Sequence, residues 1–336
     1  MYEMQELLKG DRVSEDKSVL RSKPGAATVI LGILATVPTI AAFSSMEYLI
    51  PLGTRAVILA LAASSLNVLV GYGGIFSLGH AAFMAIGGYI VAIAAQYSTG
   101  GSDFWNQALV TWPLAICITA ALAFLAGLVS MKREGLTLAM ITLAIGQMVY
   151  LVLVALKTFG GDDGLTMYPR NAIGPYLPED DTSIFYISLG VLAIYILAIH
   201  LLMRSYAGQI IKAVSVNPKR TDSLGFSVYW VRVGAFVFAS VGAALAGILT
   251  ANANEFVSPS LGNWTVAGEL MIVIVLGGLG TKAGPVIGAV FYTALVRVAS
   301  DYFEQTGLFV GIIVVSVVLF APNGLLVRHR RQSDDQ

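Results

Sequence analysis

Val70-Gly-Tyr-Gly-Gly-Ile-Phe-Ser-Leu-Gly-His-Ala-Ala-Phe-Met-Ala-Ile-Gly-Gly-Tyr-Ile90 contains a single histidine and no other ionisable group except tyrosine, and it joins two apolar runs of membrane-spanning length. In hydrocarbon, irregular backbone persists only where protein or a wet cavity satisfies its polar groups. A glycine-interrupted pair of apolar segments therefore points either to close helix packing through small residues or to a transport path.

Working outward, the 336 residues are 57% hydrophobic and only 12% charged, where a soluble domain carries about 25%. That composition reads as an all-α, polytopic transmembrane helix bundle folded as one unit. Runs of about 20 apolar residues fall at 25–44, 52–70, 79–96, 109–131, 135–157, 183–203, 229–251, 264–280, 284–303 and 306–321, which predicts ten crossings with glycine-rich broken or re-entrant segments between some of them. Residues 1–24 form a polar tail, 25–325 the membrane domain with a loop at 204–228, and 326–336 a second basic and polar tail. The first 23 residues hold ten charged side chains and no apolar core, so they read as solvated chain and not as a cleaved leader. The single cysteine, Cys117, supports neither a disulfide framework nor a Cys-based metal site.

With the N-terminus inside, sixteen of the basic residues fall on the cytoplasmic side, against Arg55, Lys157 and Arg170 outside. Under the positive-inside rule this asymmetry places both termini in the cytoplasm of a plasma (inner) membrane protein. The outer loops are acidic, and the longest, 158–182, is rich in Gly and Pro, consistent with either a docking surface or an ordinary connector. Inside the 204–228 loop, Ile210, Ile211, Ala213 and Val214 give a short amphipathic helix that needs a partner surface, in this chain or another. The glycines of 275–289 echo those of 71–88, but both turns face the same side, so the echo is no evidence for an inverted repeat.

Three stretches in order resemble the permease subunits of high-affinity branched-chain amino acid ABC importers, in particular the M-type subunit. They are residues 71–83 (GYGGIFSLGHAAF), residues 135–146 (GLTLAMITLAIG) followed by Gly160-Gly-Asp-Asp-Gly164, and residues 269–280 (ELMIVIVLGGLG) followed by Gly284-Pro285. Gly208, Leu224-Gly225 and Phe256-Val-Ser-Pro259 stand between them at the family's relative places. Gln147, where a glutamate is common, and Leu136, near which an aromatic is usual, depart from the pattern. The resemblance implies import of leucine, isoleucine or valine, with urea or short amides as the alternative within the family. It also implies a second permease subunit, two cytoplasmic ATP-binding subunits and an extracytoplasmic substrate-binding protein, all set in membrane lipid and without nucleic acid. Its coupling segment to the ATPase would comprise Gly208, Ile210, Ile211, Ala213, Val214, Leu224 and Gly225.

The chain has no Gly-Lys dipeptide and hence no Gly-x-x-x-x-Gly-Lys-[Ser/Thr] phosphate loop. It is expected to be no enzyme and to bind no cofactor, with ATP hydrolysed by partner subunits. A self-sufficient transporter driven by an ion gradient is the rival class, but proton relays need several intramembrane ionisable groups. His80 accordingly reads as a structural hydrogen-bonding residue within the central turn. Candidates for the translocation path are Ser64, Asn67, Gly71, Gly74, Gly79, His80, Thr137, Thr142, Gly277 and Gly280; no metal site or catalytic group is expected. Glu269 and Arg297 lie inside consecutive antiparallel spans, about 7.5 and 9 Å deep at 1.5 Å per residue, and are expected to pair as a structural ion pair.

Overall fold

The computed structural model describes residues 48–98, 103–174, 177–178, 180–302 and 305–320, together with 32, 34–36 and 38. Both polar tails, most of the 25–44 run, and Glu47, Glu179 and Glu304 of the expected acidic loops lie outside the described residues. The remaining nine apolar runs are all helical: α1 (Leu49–Asn67), α2 (His80–Ser98), α3 (Ala108–Ser130), α4 (Gly135–Ala155), α5 (Asp181–Arg204), then α6 (Tyr206–Val216) and α7 (Pro218–Ser223) in the polar loop, and α8 (Val228–Asn254), α9 (Trp264–Gly277), α10 (Gly284–Tyr302) and α11 (Thr306–Phe320). Six of them, α1 with its continuation to Tyr72, α2, α3, α4, α5 and α8, are long and apolar enough to cross a membrane. The chain is thus a multi-pass membrane protein.

The 264–280 run is a correction to a full crossing. Its helix α9 has 14 residues, about 21 Å long, short of a hydrocarbon core about 30 Å thick. The cause is local: Gly278 and Gly280 take φ of 104° and 72°, conformations that only glycine adopts at little cost, and the chain turns back at once into α10. A Cβ on Gly277 would collide with the backbone of Gly284, so this reversal is built on bare backbone. The expected glycine-rich break is present, but the helix ends before it.

Three helices form the centre. In α1, α2 and α8, 61%, 72% and 67% of the best apolar window is buried, against 28%, 28% and 33% in α3, α4 and α5. The outer helices turn residues such as Leu125, Met140, Leu151 and Ile194 outward, a pattern suited to lipid. The central contact between α2 and α8 depends on absent side chains: a Cβ on Gly87 would meet the Ala244 backbone, and one on Gly247 the Met84 carbonyl. Since lipid tails are as apolar as leucine, close approach through small residues supplies the packing that holds such helices together.

Alternation of the helices sorts the loops onto two faces. One carries Lys132, Arg133, Arg204, Lys212, Lys219, Arg220, Arg232 and Lys282; the other carries Asp162, Asp163, Asp181, Glu255 and Asp301. On the acidic face the 158–182 loop is pinned to its own chain. Its β1 (Leu165–Thr166) pairs antiparallel with β2 (Phe256–Val257), in the register Leu165↔Val257. Arg170, 8% exposed, reaches Asp181 at 2.6 Å and Glu255 at 2.9 Å. Buried Asn171 receives a 3.1 Å bond from the Asn252 amide and gives one of 3.1 Å to Asn106, which ties the turn before α3, the loop and α8 together. The described part of the loop is thus held against its own chain by strand pairing, ion pairs and hydrogen bonds.

Candidate functional site

Two features of the fold stand out, a cavity and the closed junction of the two glycine-rich turns. The cavity, about 690 Å³, begins at the acidic face between the ends of α1, α5, α8, α9 and α10 and descends to Met84, Ile58 and Thr293. Aliphatic groups from Ile58, Leu59, Leu261 and Val266 share its wall with Arg55 and Glu269. Below Leu59 the wall is solid, because every α1 residue from Ala60 to Asn67 is buried.

Beyond the buried stretch of α1, on the basic side, lie the two glycine-rich turns. After Asn67 the helix widens into a π-turn over Val68–Tyr72, residues 73–79 run without helix, and α2 starts at His80, back at the level of Ser65. Ser65 Oγ lies 2.7 Å from His80 Nε2. The Leu78 amide donates to Thr142 Oγ1 at 3.1 Å, and a Cβ on Gly79 would strike the Thr142 carbonyl. The amides of Gly73, Ile75 and Leu78 in this irregular stretch thereby find partners inside protein, as the bilayer requires. The second turn docks on the first through one side chain: Asn67 Oδ1 accepts from the Gly280 amide at 3.0 Å, and Asn67 Nδ2 donates to the Thr281 carbonyl at 3.0 Å. A Cβ on Gly71 would lie 2.5 Å from the Gly280 nitrogen. Beside this junction Lys282 Nζ lies 2.6 Å from His200 Nδ1. Burial, with the Arg204 and Lys212 charges, holds the Lys282 ammonium below its usual range.

The structure thus brings Asn67, Gly71, Gly79, His80, Thr142, Gly277 and Gly280 together in the closed packing around the two turns. None of the ten path candidates is among the residues lining the 690 Å³ cavity. Ser64 is buried with a hydroxyl that has no partner among the described residues, in a small crevice with Lys282. Gly74 and Thr137 are exposed on the basic side, away from the cavity. The expected Glu269–Arg297 pair is a correction: Glu269 faces Arg55 at 4.0 Å, whereas Arg297 lies 3.3 Å from Asp301, one turn along α10, with its guanidinium over the Tyr48 ring. Matching depth along two helices fixes height, not the direction in which a side chain points. Arg55 and Thr293 were missed as wall residues, although an arginine four residues into the 52–70 run is itself a sign of a wet cavity.

The amphipathic segment also resolves. Ser205 caps α6 by accepting from the Gly208 amide, and Asn217, accepting from the Arg220 amide at 3.0 Å, starts α7 at Pro218. Gly208, Ile211 and Val214 are buried, so the stripe packs on this chain's own helices, where a Cβ on Gly208 would strike Leu202 and Met203. Ile210 is half-buried, and Ala213, Leu224 and Gly225 are exposed. The face left free carries Tyr206, Val216 and Leu224, at 67%, 85% and 69% exposure. On its inner side α6 meets the first turn: Lys212 sits over the Tyr72 ring at 6.0 Å, and a Cβ on Gly74 would contact Ser215.

Comparison with known proteins gives this architecture a family. The chain is 28% identical over 307 aligned positions to the high-affinity branched-chain amino acid transport system permease protein LivM of Salmonella typhimurium, covering 84% of this chain and 71% of that protein. It is 27% identical to LivM of Escherichia coli over the same coverage. No solved structure matches the chain. Residues 48–321, which include every helix from α1 to α11, match the family described as branched-chain amino acid transport system, permease component, and the chain belongs to that family.

Proposed function

We propose that this chain is the transmembrane permease subunit of an ATP-binding-cassette importer for branched-chain amino acids, with the acidic face outside the cell and the basic face in the cytoplasm. The observation that carries the reading is the family match over the whole helical domain, joined to a cavity at one face above an α1 stretch, Ala60 to Asn67, that is wholly buried. Such a shape corresponds to one end state of alternating access. Orientation rests on the Lys and Arg bias of the loops.

In this scheme the ATP-binding subunits dock on the free face of α6 and α7, where Val216 and Leu224 offer apolar contact and Lys219 and Arg220 offer charge. Because α6 packs against Tyr72 and Gly74, a displacement driven by the ATPase is passed directly to the first turn. Loosening the Asn67 junction then opens the closed packing toward the cytoplasm. A second permease subunit and an extracytoplasmic binding protein complete the assembly, and ATP is hydrolysed outside this chain.

The test is uptake of labelled leucine by cells from which this chain has been deleted and to which it is restored. Restoration that depends on ATP, and not on the proton gradient, supports the assignment. Uptake unaffected by the deletion in cells lacking other leucine transporters overturns it.

A further inference from the structure

Among the ion pairs of the described residues, Arg55–Glu269 is unlike its neighbours. Arg170 is 2.6 Å from Asp181 and Arg232 is 2.8 Å from Glu134, both hydrogen-bonded, and Arg170 is also 2.9 Å from Glu255; these are closed contacts. Arg55 and Glu269 stand 4.0 Å apart, beyond hydrogen-bond reach of about 3 Å. Each therefore keeps hydrogen-bonding capacity toward the cavity that both line. Arg55 presents a planar donor fork suited to a carboxylate. Glu269 also meets the Tyr292 side chain, and a carboxylate with two oxygens has capacity left to accept from an ammonium.

Three further observations concern the rest of the wall. Thr54 and Thr250 use their hydroxyls on the helix carbonyls of Ile50 and Ala246, while the Thr293 hydroxyl, 5% exposed as a residue, has no partner among the described residues. Next to the charges stand the aliphatic side chains of Ile58, Leu59 and Val266. Last, the Arg55 side chain is 64% exposed and that of Glu269 25%, so both charges are open to the cavity that they line.

We propose that Arg55 and Glu269 form a transit site in which a zwitterionic aliphatic α-amino acid places its carboxylate on Arg55 and its ammonium on Glu269, with its side chain against Ile58, Leu59 and Val266. The two poles of such a ligand sit side by side, as the two protein charges do, so the paired dipoles run antiparallel. An uncharged amide such as urea would use neither pole fully. This inference rests on the importer reading and adds to it a site within the permease itself.

The test uses the complete transporter in proteoliposomes. Arg55→Gln and Glu269→Gln are expected to raise the KM for ATP-driven leucine uptake by about tenfold or more, the loss of one charged hydrogen bond, while Arg55→Lys stays closer to the parent protein. KM unchanged within about twofold in inserted Arg55→Gln and Glu269→Gln overturns the site while leaving the importer reading intact. Absence of leucine uptake by the unsubstituted complex overturns both. A second measurement leaves the charges in place. In a Cys117→Ser background, Val266→Cys is modified from outside by a charged thiosulfonate, and leucine is expected to slow the modification while 4-methylpentanoate, which lacks the ammonium, does not. Equal protection by both compounds, or by neither, contradicts the proposal.

Discussion

Asn67→Ala tests whether the two glycine-rich turns are held together by one side chain. The substitution removes two hydrogen bonds of 3.0 Å, one that Asn67 Oδ1 accepts from the Gly280 amide and one that Asn67 Nδ2 donates to the Thr281 carbonyl. Leaving a buried backbone group unsatisfied costs about 1–3 kcal/mol. Gly280 and Thr281 are only partly buried, so water admitted to the space offsets some of this, and a total of about 2–3 kcal/mol follows from the lower part of that range. At about 2–4 °C per kcal/mol the midpoint of thermal unfolding falls by about 4–12 °C. Ser64→Ala is the control three residues away, because its buried hydroxyl has no partner among the described residues; its midpoint should hold or rise slightly. The assay is thermal unfolding of the detergent-solubilised protein followed by tryptophan fluorescence. Equal midpoints for Asn67→Ala and Ser64→Ala would refute the claim that Asn67 joins the turns.

Two other perturbations follow from the same geometry. Gly79→Leu drives a side chain into the Thr142 carbonyl and should abolish monodisperse protein on size exclusion, whereas Gly190→Ala, with nothing within 4 Å of the new Cβ, should be neutral or stabilise by up to about 1 kcal/mol. A double-mutant cycle of Glu269→Gln with Arg297→Gln should be additive within about 0.5 kcal/mol in thermal stability, since the structure pairs these residues with Arg55 and Asp301 instead; measured coupling well above that value would restore the direct pair.

The spans were legible because lipid imposes one requirement on a crossing, a run of apolar residues of sufficient length, and the runs at 52–70, 79–96, 109–131, 135–157, 183–203 and 229–251 each meet it. The glycine-rich breaks were legible for a related reason: Gly278 and Gly280 sit where the backbone takes positive φ, and few other residues can. The direction of individual side chains was not legible. Glu269 and Arg297 match in depth, yet rotation about the helix axis sends Glu269 toward Arg55 and Arg297 toward Asp301. The stripe Gly208, Ile211, Val214 shows that α6 has an apolar face, but not that the face is occupied by this chain. The cavity was hidden most deeply, because its wall is assembled from six helices between Tyr48 and Ser300, and Arg55 and Glu269 in it are separated by more than two hundred residues of chain.

Coupling through α6 and α7 is the remaining mechanical claim. Leu224→Asp changes an exposed position, so it should leave thermal stability within about 0.5 kcal/mol while sharply lowering ATP-driven uptake. Ile211→Ala empties a buried position and should cost about 2–5 kcal/mol of stability. Normal uptake by Leu224→Asp would move the ATPase contact away from this turn.

The central claim is tested most directly by reconstituting this chain with its partner permease and ATP-binding subunits in liposomes, adding the external binding protein, and measuring leucine accumulation with and without ATP inside the face that carries α6 and α7. The account predicts accumulation only when ATP is on that face, and none when this chain is omitted. Accumulation without ATP, or driven by an imposed proton gradient by this chain alone, would contradict it.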